Sequence, residues 1–168
     1  MNPINMGVIF SSEQCKELIT TYSDSATPWR VNARKKISTH VIELPWYVDR
    51  IDQLMHQVNR GLKFSITGLT DQPALVRYDE DSYFDWHHDM YSGREGVYRK
   101  FSMITILSEP GSHDGGTLEF FNHGVVSTGT PPQGTVIAFP SWMQHRVTKV
   151  TRGTRYSAVA FVGGPQFR

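Results

Sequence analysis

The chain has 168 residues, 39% of them hydrophobic and 20% charged, with a formal net charge of +1. That length suits one domain with a proper core rather than two, and the near-zero charge gives no electrostatic case for nucleic acid or an anionic membrane surface. A single cysteine, Cys15, excludes an internal disulfide and a thiolate metal site within one chain, and is compatible with a reducing compartment.

Residues Met1 to Asn5 carry no basic stretch leading into a long apolar run, and apolar residues nowhere approach a membrane-spanning length. A cytoplasmic protein without signal peptide or membrane contact is therefore expected. Ser11 or Ser12 can cap a first helix running through Cys15, Leu18, Ile19 and Tyr22, and Ser11 with Gln14 has capping-box spacing. Pro45 opens a second helix to about Asn59, with Val48, Ile51, Leu54, Met55 and Val58 at helical spacing and Gly61 as its stop. Beyond Phe64, short β-branched and aromatic runs alternate with Gly, Pro, Asn and Asp clusters. Strands are expected near Ala74–Tyr78, Phe84–His88, Phe101–Leu107, Gly116–Phe121, Val125–Ser127, Thr135–Phe139, His145–Val150 and Arg155–Val162, with a tight turn at Asn122-His123-Gly124. The longer connections Met90–Lys100 and Ser108–Gly115 are candidate lids. About eight strands after two helices predict a mainly β fold with flanking N-terminal helices, a jelly roll or double-stranded β-helix. The organisation expected is a single domain, residues 1–168, with helical support over about 1–70 and the jelly-roll core over about 74–163.

The segment Tyr83-Phe84-Asp85-Trp86-His87-His88-Asp89 carries the strongest chemical signal. Alternate residues of a strand share a face, so His87 and Asp89 project together while Trp86 and His88 point away. A distant histidine would complete a set of two imidazoles and one carboxylate, which leaves coordination positions open and suits non-haem iron(II). His145 is the favoured third ligand, opening a predicted strand fifty-six residues after Asp89. His40, His56, His113 and His123 fit less well, and Asp85 competes with Asp89 because it too shares the face of His87.

Arg155 lies ten residues beyond His145, with Thr151-Arg152-Gly153 reading as a turn. A hairpin with Val150 opposite Thr154 would set His145 opposite Val159 and put Arg155, Ser157 and His145 on one face. Arg155 would then stand about four residues from His145, roughly 13 Å at strand rise. A metal-bound five-carbon diacid can bridge that gap to a guanidinium fork. Arg152 is the rival anion anchor, placed in the turn.

These motifs together resemble the 2-oxoglutarate/Fe(II)-dependent oxygenase superfamily, in its prolyl-4-hydroxylase-like branch of small microbial or viral type. The spacing Tyr78-x-x-Asp81-x-x-Phe84-x-x-His87-x-Asp89, the central strand at Arg99–Ser108, Gly115-Gly116-Thr117-Leu118-Glu119-Phe120, Gly134–Pro140 leading to His145, and Val147-x-x-Val150-x-x-Gly153-x-Arg155 carry the resemblance over roughly Ala74 to Val162. It implies His87, Asp89 and His145 as iron ligands, Arg155 as the anchor of the distal carboxylate of 2-oxoglutarate, and Tyr78, Ser157 and Thr105 in the co-substrate pocket. Ser102 lies on the same strand and reads as packing. Trp142, Trp86 and Tyr91 are candidates for the substrate entrance, although core packing is the plainer reading of the two tryptophans. Where several relatives carry a co-substrate tyrosine this chain has Ile106, and where collagen-type members carry lysine it has Arg155.

The activity implied is a dioxygenase reaction using Fe(II), 2-oxoglutarate and O2, sustained by ascorbate, that hydroxylates an unactivated C–H bond, at a prolyl residue of a protein or peptide. The same chemistry on a free amino acid or other small metabolite, and a non-catalytic jelly-roll binding module, are the alternatives. Base-repairing relatives carry a further arginine where this chain has Phe161, which argues against a nucleic-acid substrate.

Overall fold

A computed structural model of the chain describes residues 2–29, 31–91 and 96–167. In chain order the elements are β1 (Ile4–Val8), α1 (Ser12–Tyr22), β2 (Thr27–Pro28), β3 (Lys35–Lys36), β4 (Ser38–Val41), α2 (Pro45–Leu62), β5 (Gly68–Leu69), β6 (Ala74–Tyr78), β7 (Tyr83–His87), β8 (Tyr98–Ile106), β9 (His113–Gly115), β10 (Leu118–Phe121), β11 (Val125–Ser127), β12 (Thr135–Pro140), β13 (His145–Val147), β14 (Val150–Gly153) and β15 (Arg155–Gly164). The larger sheet runs β1-β12-β8-β15-β6-β4-β2, with β5 beside β15, and the smaller runs β11-β10-β13-β7-β3. Every pairing is antiparallel.

The two sheets face each other as a jelly roll over an inner core that includes Val76, Ile104, Ile137, Phe139, Phe120 and Val147. The helices cover the outer face of the larger sheet. There Cys15 and Leu18 of α1, and Tyr47, Ile51, Leu54 and Met55 of α2, pack with Phe101, Met103 and Ala160 of the sheet. Each such aliphatic or aromatic side chain contributes about 1.5–3 kcal/mol by leaving water. Because β8 beyond Arg99 and all of β12 are covered on both faces, their residues are buried one after another rather than alternately. Among the described residues no helix is long and apolar enough to cross a membrane.

The capping box at α1 forms as expected. The Gln14 N–H donates to Ser11 Oγ at 3.2 Å, and the Ser11 N–H donates to Gln14 Oε1 at 2.9 Å. Helix α2 runs through the expected stop at Gly61. Lys63 makes the left-handed turn at φ 57° instead, with its N–H donating to the Asn59 carbonyl. The Asn59 side chain holds both the N–H and the C=O of Phe64, at 3.0 and 2.9 Å. These bonds offset the cost, about 1 kcal/mol or more, of a left-handed non-glycine residue.

Three expectations need correction. The first seventy residues are not purely helical, because β1 and β2 form the two edges of the larger sheet. The strand expected over His145–Val150 is two strands. The Thr148 hydroxyl takes the Thr117 N–H at 2.9 Å and interrupts the ladder, after which β14 pairs with β9. The expected hairpin between the strands of His145 and Arg155 does not form. His145 pairs with His87 and Phe120, whereas Val159 pairs with Ala74 and Ile104, because the chain crosses from one sheet to the other through β14. Of the longer connections, 108–115 ends in β9. The other narrows to 90–97 ahead of β8, and its residues 92–95, with Gly93, lie outside the described residues.

Candidate metal and co-substrate site

His87 and His145 are direct partners across the β7–β13 ladder, with ring centroids 4.2 Å apart. Each ring is oriented by its own backbone: Nδ1–H of His87 donates to the Asp85 carbonyl at 2.7 Å, and Nδ1–H of His145 to the Met143 carbonyl at 3.0 Å. A carbonyl only accepts, so Nδ1 carries a proton in both rings, and Nε2 is the atom each neutral ring can offer to a metal. Phe84 stacks on His87 at 3.6 Å between centroids. Burial, followed by the neighbouring His145, lowers the His87 pKa to about 4, keeping the imidazole neutral as a ligand must be.

Asp89 lies two residues past the end of β7, where strand parity no longer governs direction. Its N–H donates to the Ser141 carbonyl at 2.8 Å, and its Oδ2 accepts the Ser102 hydroxyl at 2.6 Å. Oδ1 stands 3.6 Å from His87 Nε2, and Oδ2 stands 3.6 Å from His145 Nε2. One ligand atom from each of the three residues falls within 4.8 Å of the others. Asp85, the competing carboxylate, is exposed and binds the Trp86 N–H.

The three residues line a cavity of about 350 Å³ between the sheets, whose far wall includes Tyr78, Arg155 and Ser157. Arg155 is only 3% exposed, and Tyr78 is its partner across the β6–β15 ladder. Its Nη1–H donates to Ser157 Oγ at 3.1 Å, and its guanidinium carbon stands 5.0 Å from the Tyr78 ring centre. Among the described residues no carboxylate pairs with it. Burial disfavours its charged form and is only partly countered by Tyr78, while burial pushes the Tyr78 phenol up. A buried cation without a counter-ion is costly, and an anion entering the cavity would relieve that cost. The hydroxyls of Tyr78 and Ser157 occupy the neighbourhood that the apolar Ile106 cannot serve. Gly116, at φ 62°, lets the backbone approach Arg155, since a Cβ there would sit 2.7 Å from Arg155 Cδ. Beyond Arg155 a smaller cavity of about 180 Å³ is lined by His113, Thr117 and Thr128 among others.

Several expected site residues lie elsewhere. Thr105 is fully buried on the helix-facing side of β8, hydrogen-bonded to the Tyr47 hydroxyl at 2.8 Å, because its parity opposes that of Ser102, Ile104 and Ile106. Trp86 sets its edge against Phe121 and lies 4.8 Å from the Arg146 guanidinium, outside the cavity. Trp142 packs between Phe64 and Phe167, with centroids at 5.6 and 5.4 Å. Tyr91 is exposed and touches the cavity only through Arg99, whose guanidinium carbon is 5.8 Å from its ring. Arg99 is the residue that sequence reasoning passed over, and Ser102 is one it set down as packing. Parity with Ile106 identifies Ser102 as inward-facing. Arg99 lines the cavity, stacked 3.5 Å over Phe161 and paired with Asp71 at 3.0 Å, and its buried Nε has no hydrogen-bond partner among the described residues.

Among known proteins, the family model of the 2OG-Fe(II) oxygenase superfamily matches residues 73–163. A PKHD-type hydroxylase of Shewanella frigidimarina is 33% identical over 119 residues, covering 66% of this chain and 53% of that protein. The PKHD-type hydroxylase PiuC of Pseudomonas aeruginosa is 31% identical over 91 residues, covering 51% of this chain and 40% of its own. The chain thus spans about half the length of the curated relatives it matches. A Pseudomonas putida prolyl-4-hydroxylase superposes with a TM-score of 0.81 at 19% identity, over 98% of this chain and 93% of that one. The viral collagen prolyl hydroxylase of Paramecium bursaria Chlorella virus-1, solved with 2-oxoglutarate, gives 0.77 at 16% identity, over 98% and 97%. At such identities the structural likeness is one of fold, and the family match extends over more than half the sequence, including His87, Asp89, His145, Tyr78, Arg155 and Ser157. The chain belongs to the 2OG-Fe(II) oxygenase superfamily and shares its jelly roll with prolyl hydroxylases.

Proposed function

We propose that this chain is a 2-oxoglutarate- and Fe(II)-dependent dioxygenase that hydroxylates an unactivated C–H bond, at a prolyl residue of a protein or peptide. One observation carries the reading: two imidazoles and a carboxylate converge on one side of a cavity whose other side holds a buried arginine with no counter-ion among the described residues. His87, Asp89 and His145 would hold the iron, a ligand set that leaves positions for co-substrate and dioxygen. Arg155, with Tyr78 and Ser157 beside it, would hold the distal carboxylate of 2-oxoglutarate through charge-assisted hydrogen bonds. When bound, iron, 2-oxoglutarate and dioxygen supply the oxidising chemistry, with ascorbate keeping the iron reduced. The chain's own work is to position the co-substrate, exclude water with walls such as Ile104, Val159 and Phe84, and direct the target C–H bond.

The mouth favours a polypeptide over a small polar metabolite. Trp29 and Val41 are exposed at its rim, an apolar surface suited to the side chains of a peptide. The reading is tested by succinate formation from 2-oxoglutarate with Fe(II) and ascorbate, together with mass spectrometry of proline-containing peptides and free proline for the gain of one oxygen atom. Wild type should turn over, His87→Ala should fall to background, and Arg155→Ala should require about 10²-fold more 2-oxoglutarate, as loss of two charge-assisted hydrogen bonds implies. Oxygen gained by free proline alone would favour the metabolite alternative. Failure of the metal-loaded chain to bind 2-oxoglutarate would leave a non-catalytic binding module.

A further inference from the structure

We propose that Ser102 is a positioning residue for the metal, fixing the Asp89 carboxylate so that Oδ1 is its free ligand atom. The inference rests on the metal-site reading above.

Asp89 has no strand of its own to orient it, since β7 ends at His87. Its side chain is directed instead from the opposite sheet. Ser102 is fully buried on β8, pairing with Phe139 of β12 on one side and Phe161 of β15 on the other, so its backbone is held by two ladders. Its hydroxyl donates to Oδ2 at 2.6 Å, a short charge-assisted bond. An ionised carboxylate has two equivalent oxygens, and a donor fixed on one leaves the other as the stronger candidate for a cation. A carboxylate bound through one oxygen preserves open positions at the metal, whereas chelation through both would consume one. Ser102 thus links the floor of the larger sheet to a ligand of the smaller, and a fixed outer partner of this kind raises metal affinity.

The test is Co(II) titration of metal-free protein without 2-oxoglutarate, for wild type, Ser102→Ala and Ser102→Thr, reading affinity and the visible absorption that reports coordination number. Thermal melts of the metal-free forms run alongside. Ser102→Ala should bind Co(II) about 10-fold more weakly with altered absorption at saturation, and Ser102→Thr, which keeps the hydroxyl, should recover both. Wild-type affinity and absorption in Ser102→Ala overturn the proposal. So does equal weakening in both variants with unchanged melts, which would assign the effect to packing. Where a variant melts early, the saturated spectrum decides, and an unaltered spectrum in Ser102→Ala overturns the proposal. If wild type itself binds no Co(II), the metal-site reading fails first.

Discussion

The two faces of β8 place nearly the same composition against different surroundings. Toward the helices it presents Phe101, Met103 and Thr105, and toward the facing sheet Ser102, Ile104 and Ile106. Both faces are buried and each holds one hydroxyl. The hydroxyl of Thr105 meets a phenol and closes a helix–sheet joint, while that of Ser102 meets the carboxylate of the candidate metal site. A buried polar group on a central strand therefore carries no function by its type alone, and its partner decides.

The helix-facing side should govern stability alone. Truncating Met103 to alanine is expected to cost about 2–5 kcal/mol, seen as an earlier denaturant midpoint, with 2-oxoglutarate affinity of the metal-loaded protein unchanged. A weakened affinity would mean that the two faces are not separable. A smaller effect is expected for Thr105→Val, which leaves the buried Tyr47 hydroxyl without its partner. The cost should be about 1–3 kcal/mol, again with co-substrate binding intact; weakened binding would restore Thr105 to the pocket. A third effect, of the same order, concerns acid and the cavity side. Burial and His145 lower His87 to about 4 from an ordinary 6.5, so the unfolded chain takes up this proton before the folded one does. The contribution to stability is present above about pH 6.5 and is lost as the pH falls toward 4. Melting of the metal-free protein between pH 7 and 4.5 should show that slope in wild type and a shallower one in His87→Leu.

The helix starts, most strands and the His87, Asp89 and His145 cluster were legible in the sequence, because caps, turn residues and ligand types are local signals. The pairing between sheets was not. The His145–Arg155 register was derived from an apparent turn at Thr151-Arg152-Gly153, yet β14 pairs with β9, a partner some forty residues upstream that no local pattern announces. Both residues nonetheless line one cavity, because facing sheets converge as neighbouring strands do. Of the two readings open for the tryptophans, substrate entrance or plain aromatic packing, the second, plainer one fits their contacts. Trp86 and Trp142 flank ligands in sequence, but adjacency along a strand means opposite faces, and Trp142 belongs to an aromatic cluster completed by Phe167 at the far end of the chain.

The pairing of His87 with His145 has a consequence for how this scaffold tolerates change. Two of the three candidate ligands form a single rung of one ladder, so a one-residue insertion within β7 or β13 would turn an imidazole to the wrong face and dismantle the rung. The rung therefore holds both imidazoles only while each strand keeps its length, whatever happens to the connections beyond them.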